Sequence, residues 1–240
     1  HNSLVQKGLK NIKRFSWNDN IEKTIALYNK ILNRRYVKTK KIVFFHRKMP
    51  FYGSIEQHFS EVRNFLSSDY NLKVSQSRYI SRCLFKRVFN IFQAFLNQSD
   101  INHVTGDVHF LTYFMKKQKT ILTVHDCGSV IHSKGLKRML YKFFWFTLPS
   151  KKVRAITVNS EKTKKELLTV TNYPSDKIFV IPPLNKLAFT DERKLLFNRE
   201  KPQIMHIGTT PNKNLSRVCL ALKDIKCHLE IIGKLEGTDE

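Results

Sequence analysis

Residues 203–218, QIMHIGTTPNKNLSRV, set an apolar run, Gly208-Thr209-Thr210, Lys213 and an apolar-periodic segment in succession. That order reads as strand, turn, helix. A tight turn ahead of a helix N-terminus presents backbone N–H groups to an anion. Lys213 would add a side-chain cation, so the chemistry on offer is recognition of a phosphate or diphosphate. The plainer reading is a βα connection in which Gly208 only makes the turn, and spacing alone favours it. The stretch is neither GxGxxG nor GxxxxGK[ST], so neither the dinucleotide nor the P-loop fingerprint applies.

Other residues stand where apolar runs end. His125-Asp126 follows ILTV (121–124), and a histidine there can hydrogen-bond a ligand or settle structurally. Asp126 would orient His125 or cap the next turn, and the capping role is the simpler one. Asn159 and Ser160 follow AITV; Ser160 reads as a helix cap, with ligand contact the lesser role. Gly53 lies in a loop and Lys234 follows a later apolar run. Each is a phosphate contact or, as readily, a turn glycine and a solvated lysine. The four cysteines show no CxxC or paired-histidine spacing, so neither a zinc site nor a disulfide frame is expected. No acidic ligand cluster suggests another metal.

The elements that would position these residues alternate. Strand-like runs at 42–45, 101–104, 121–124 and 155–158, a weaker one at 72–74, and one at 177–181 alternate with amphipathic stretches from residue 41 onward. Continuous apolar runs such as IVFF suit strands buried on both faces. Ser54 would cap a helix with Ile55, Phe59, Val62 and Leu66 on one stripe. Residues 80–96 form a helix striped by Leu84, Val88, Ile91 and Phe95, and 135–148 another. Residues 108–117 are helical or irregular. This predicts an α/β fold with a parallel sheet, and a fresh βαβ unit after a polar break at 184–200. Residues 1–32 read as helical, with Ser16 as a cap and Ile21, Ile25, Tyr28 and Ile31 on one stripe, before a basic linker at 34–41. The expected organisation is a helical segment (1–36), a Rossmann-like domain (40–185) and the start of a second one (200–240). Ligands of open parallel sheets bind at the strands' carboxyl ends. Two such domains face to face would gather all these loops around one cleft.

The 240 residues carry 43 Lys and Arg against 19 Asp and Glu, a net charge of +24, with 41% hydrophobic residues. This is a globular composition with a polyanionic neighbour: nucleic acid, anionic lipid or phosphorylated substrate. No apolar run approaches the ~18 residues of a membrane-spanning helix, and no signal-peptide pattern opens the chain. It begins with His1 and ends just after a strand-like run, which reads as part of a longer protein.

Four segments in order, ILTVHDCG (121–128), AITVNSEKTKKELLTV (155–170), DKIFVIPP (176–183) and HIGTTPNKNLSRVCLAL (206–222), together resemble glycosyltransferase family 4. KIVFFHRKMPFYGSIEQHFSEV (41–62) is similar to that family's first strand, loop and helix. The resemblance covers about residues 41–234. It implies two Rossmann-like domains in the GT-B architecture. It also implies transfer of a sugar from a nucleotide-diphosphate donor to a glycan or lipid-linked acceptor, with retention and without a metal or cofactor. Lys213 matches the family's phosphate-contacting basic residue, with Gly208 and Thr209 allowing close approach, and His125 matches its histidine near the transferred sugar. Gly53 and Lys234 join them as phosphate contacts, although the family's paired glycines are absent around Gly53. The family's two glutamates seven residues apart would come later; Glu230 and Glu236 do not fit, so these 240 residues alone are expected to be inactive. GLKNIKRFSWNDNIEKTIALYNKIL (8–32) resembles the last helices of such an enzyme, out of order. It is either the end of one enzyme joined to the start of another or a plain helical extension.

Residues 134–165 hold ten Lys and Arg, one acid (Glu161) and interleaved aromatics from Tyr141 to Phe146. Such a face suits the anionic inner surface of the cell membrane, in a cytoplasmic enzyme of cell-surface polysaccharide synthesis; the plainer reading is a lysine-rich surface over a core. Two rival functions stand beside transfer: a non-catalytic nucleotide-sugar-binding or scaffold module, and a basic nucleic-acid-binding protein. The second lacks every helix-turn-helix, RRM, KH or zinc-finger pattern.

Overall fold

The structure, a computed structural model, describes residues 3, 6, 7, 10, 17–32, 40–48, 53–68, 70–183, 198 and 200–233. Ser16, most of the residues before it, the basic linker, most of the polar break at 184–200, and Lys234 lie outside the described residues. The chain divides into two compact units, residues 1–186 and 187–240.

In the first unit α1 (Trp17–Leu32) precedes β1 (Lys41–His46), α2 (Ser54–Leu66), β2 (Asn71–Gln76), α3 (Leu84–Leu96), β3 (Ile101–Val104) and β4 (Thr120–Val124). The short helices α4 (Gly128–Ile131), α5 (Gly135–Tyr141) and α6 (Leu148–Lys151) follow, then β5 (Ala155–Val158), α7 (Glu161–Val170) and β6 (Ile178–Val180). The six strands form one parallel sheet in the order β2-β1-β3-β4-β5-β6. This is the Rossmann-like α/β sheet that the alternating runs predict.

Every residue of β3, β4 and β5 is buried, as is β1 after Lys41, because helices cover both faces. Successive side chains of a strand point to opposite faces. Val43 and Phe45 therefore join a core with Leu122, Ile156 and Leu167, while Ile42 and Phe44 join one with Ile101, Phe59 and Leu66. The edge strand β2 is mostly exposed, which explains its weak sequence signal.

α1 supplies Ile21, Leu27, Tyr28 and Ile31 to the second of these cores. The Asn20 amide donates to the Pro182 carbonyl just beyond β6. The helix is thus part of the first unit.

Three local expectations change. α2 starts at Ser54 with Gly53 in the cap position, and a glycine has no side chain to accept from the first-turn N–H groups; Glu56 in that turn is held by Arg47. α3 does not bury the stripe its spacing suggests. Asn90, Ile91 and Ala94 face inward, and Leu84, Val88 and Phe95 are exposed. Asn90 decides this: its amide donates to the Tyr79 carbonyl and accepts from the Tyr79 N–H, closing the loop before the helix. Residues 108–117 contain a 3₁₀ helix at His109–Phe114, and 135–148 is interrupted by a π segment at Lys142–Thr147. A π turn frees carbonyls from their usual partners. Here Phe144 accepts from the Tyr113 hydroxyl (2.6 Å) and Trp145 from His109 Nδ1 (2.7 Å).

In the second unit β7 (Gln203–Ile207) and β8 (His228–Ile232) pair in parallel, joined through α8 (Leu215–Leu222). This is the βαβ unit expected after the polar break.

Candidate functional site

The chain passes from β1 outward to β2, then returns to place β3 on the other side of β1. The connections leaving β1 and β3 therefore diverge, and a crevice opens at their carboxyl ends. Arg47 follows β1 there, Thr105 and Gly106 follow β3, and His125 follows β4.

Arg47 Nε donates to the Glu56 carboxylate at 2.9 Å, tying the β1 end to the start of α2. A Cβ at Gly53 would come within 2.6 Å of Glu56 Oε2, and one at Gly106 within 3.4 Å of Arg47 Cγ. Gly53 therefore leaves room for this ion pair, its space filled by a carboxylate, whereas a Cβ at Gly106 would make only ordinary contact with Arg47. Burial pushes the Glu56 carboxyl up, but the Arg47 hydrogen bond and charge outweigh it and hold it below the ordinary range.

His125 Nε2 donates to the Thr105 carbonyl at 2.7 Å. A carbonyl can only accept, so Nε2 carries the proton and Nδ1 is the acceptor nitrogen of the neutral ring. Burial lowers the imidazole's pKa, only partly opposed by that hydrogen bond, and the ring stays neutral. His125 and Asn159 line one cavity of about 30 Å³ with Phe59, His103, Thr123 and Thr157.

Asp126 Oδ1 accepts from the Gly128 N–H at 2.9 Å, so it closes the turn into α4. Ser160 Oγ accepts from the Thr163 N–H at 3.1 Å and caps α7. Asn159 Oδ1 accepts from the Thr163 hydroxyl at 2.7 Å.

In the second unit Gly208 has φ +91°, a conformation that strains any residue with a Cβ. A Cβ there would also meet Lys213 Cγ at 3.0 Å, because the lysine side chain lies over the glycine. The structure thus brings Gly208 and Lys213 together. Thr209 lies beside Gly233, whose Cβ would come within 3.1 Å of Thr209 Cγ2. The turn's donors differ from expectation. The N–H of Gly208 is engaged by Ile232 (2.7 Å), that of Lys213 by Thr210 (2.8 Å) and that of Asn214 by Pro211 (3.2 Å). The helical N–H groups without an intrahelical acceptor are those of the first turn of α8, from Leu215.

From sequence, Arg47, Thr105 and Gly106 are placed only in ligand-facing loops at strand ends, with no individual role, and Glu56 is not singled out. Position after strand-like runs was the available signal for Arg47, Thr105 and Gly106; nothing in the sequence pairs Glu56 with Arg47.

The profile of Glycosyltransferase Family 4 matches residues 42–184. No curated protein sequence matches the chain. The chain is similar to two solved structures of HepE from Anabaena, and the first of them shares its fold. One, in complex with UDP and glucose, is 12% identical with a TM-score of 0.50 over 82% of this chain and 61% of that one. The other, in complex with UDP, is 10% identical with a TM-score of 0.48 over 80% of this chain and 69% of that one. This chain therefore spans about three fifths of the first HepE chain.

Proposed function

Since the chain belongs to glycosyltransferase family 4, we propose that it serves in transfer of a sugar from a nucleotide-diphosphate donor to a glycan or lipid-linked acceptor, with retention and without a metal. The observation that carries this is the strained turn at Gly208 with Lys213 folded over it, at the carboxyl end of β7. A departing diphosphate gathers negative charge, and preorganised cations and N–H donors lower the energy of that state. Lys213 supplies the cation and the first turn of α8 supplies donors. Thr209 follows the glycine on the same turn, and Lys234 lies just beyond β8 in sequence. In the first unit His125 offers Nδ1 as a hydrogen-bond acceptor to a sugar hydroxyl, and its role is hydrogen bonding and charge stabilisation at the sugar. Asn159 stands beside it.

HepE's UDP makes UDP-glucose the first donor to test. Lys213→Ala is expected to weaken UDP-glucose binding about tenfold, the loss of one hydrogen bond to a charged group, and to leave DNA binding unchanged. Calorimetry showing equal UDP-glucose affinity in both proteins would overturn the reading. Equal losses for UDP-glucose and DNA would favour a general polyanion binder.

The enzyme is further proposed to act as a peripheral protein on the cytoplasmic face of the membrane, in polysaccharide synthesis. Among the described residues no helix is long and apolar enough to cross a membrane. Instead α3 exposes Leu84, Phe85, Phe92 and Leu96, with Phe85 86% accessible. Residues 70–99 contain five Lys and Arg and no acid. Exposed apolar side chains in a stretch of sequence that carries cations and no acid match an anionic bilayer surface. Phe85→Ser with Phe92→Ser should reduce sedimentation with phosphatidylglycerol vesicles at least tenfold, since burying each Phe contributes about 1.5–3 kcal/mol. Unchanged sedimentation would remove α3 from any such role.

A further inference from the structure

A wide concavity of the first unit lies at the other end of the sheet, by the amino ends of β4, β5 and β6. Its volume is about 700 Å³, well within the range of small-molecule sites. Six cations line it: Lys30, Lys117, Lys142, Lys151, Arg154 and Lys177. Asp176 is the one acidic side chain among its described lining residues.

These cations come from separate elements. Lys30 lies in the last turn of α1, Lys117 opens the 3₁₀ turn before β4, and Lys142 opens the π segment. Lys151 ends α6, Arg154 directly precedes β5, and Lys177 directly precedes β6. No single helix periodicity puts them together; the fold does. Converging like charges on one concave, partly desolvated surface repel each other and raise its affinity for anions. The floor is not polar throughout. The Tyr173 ring is buried with its hydroxyl on the Val153 carbonyl (3.3 Å), and Lys30 Nζ stands 5.1 Å from the centre of the Phe179 ring. The floor is therefore preformed, while the surrounding lysine heads remain exposed.

We propose that this cavity is a second anion site, binding a multiply phosphorylated ligand of the di- or triphosphate class. A net lining charge of several units exceeds what a single carboxylate or monophosphate would balance. The site lies at the opposite strand ends from His125 and does not involve Lys213, so it stands apart from the transfer chemistry proposed above. The same phosphates could arrive free in solution or as the headgroup of a lipid.

The test uses the whole chain at physiological ionic strength, with inorganic triphosphate as the soluble probe. The lipid-borne probe is phosphatidylcholine vesicles doped with diacylglycerol pyrophosphate. Lys151→Ala with Lys177→Ala is expected to weaken binding about 100-fold, about tenfold for each lysine removed. Lys165→Ala with Lys223→Ala removes the same charge at two positions that do not line the cavity and should change binding no more than about twofold. Binding of triphosphate alone identifies a soluble ligand, and binding of the doped vesicles alone a lipid headgroup. Either supports the site if only the cavity pair abolishes it. Equal losses in the two lysine pairs, or binding to neither probe, would overturn the proposal. Circular dichroism of both variants separates lost binding from lost folding.

Discussion

Lowering the pH from 7 to 4 is expected to unfold the first unit, with the transition beginning as the pH drops below about 6.5. His46, His103, His109 and His125 are buried or nearly so, and burial holds each of them below the ordinary histidine value. His46 is lowered to about 4 and His103 to about 3. A depressed folded value means that the unfolded chain takes up protons first. The native advantage is whole above pH 6.5 and is lost as the pH falls toward the folded values. For His46 alone the loss by pH 4 is about 3 kcal/mol, a large part of a domain's usual ~5–15 kcal/mol.

The hydrogen bonds show why these rings stay neutral. Arg63 Nη1 donates to His46 Nε2 at 2.8 Å, and a second ring proton would point at that guanidinium. His46 Nδ1 meets the Thr105 hydroxyl at 3.1 Å, which donates on to the Phe45 carbonyl. His103 bridges the Tyr28 hydroxyl (2.7 Å) and Thr123 Oγ1 (2.8 Å), and Thr123 meets Thr157 at 2.7 Å. One proton per ring satisfies both chains. Glu56, held below the carboxylate range, loses its contribution only at still lower pH. Near-ultraviolet circular dichroism followed by pH would show a midpoint between about 6.5 and 4.5 if the histidines govern it. A midpoint below about 4 would assign the transition to carboxylates.

The sheet was legible because buried parallel strands write themselves as apolar runs: IVFF, ILTV and AITV all became strands. Strand order was not legible, since it depends on which side of β1 the chain returns to, and no local pattern encodes that. The crevice beside Arg47 and Gly106 follows from that order. The fate of α3 was hidden for another reason. Leu84, Val88, Ile91 and Phe95 mark an apolar face with Lys86, Arg87, Asn90 and Gln93 on the opposite one, and that periodicity picks a face without deciding which edge the structure turns inward. A buried asparagine decides that edge. Gly208 and Lys213 were read from sequence as neighbours in a turn. Only the backbone shows that the lysine lies across the glycine and that Gly208's own N–H is taken by β8.

α1 yields the other large effect. Its sequence fitted either a displaced tail or a plain extension, and an extension that packs on nothing tolerates substitution. The structure instead puts Tyr28 at 0% exposure, edge-on to Tyr70 and to His103, with its hydroxyl on the His103 ring. Tyr28→Ala is expected to cost about 3–5 kcal/mol, through the cavity left and the stranded His103 nitrogen. Tyr28→Phe keeps the ring and loses only the hydroxyl, for about 1–2 kcal/mol. Urea unfolding followed by tryptophan fluorescence measures both. A Tyr28→Ala protein within about 0.5 kcal/mol of the parent would mean that α1 does not belong to the folded unit. If the larger loss is found, a chain started at Lys40 would lack the cover that α1 gives Ile42, Phe44, Ile101 and Ile121. Exposing that much apolar surface would leave the sheet prone to aggregation rather than free-standing. The boundary of the sugar-transferase fold would then lie before α1, outside the segment that carries the family profile.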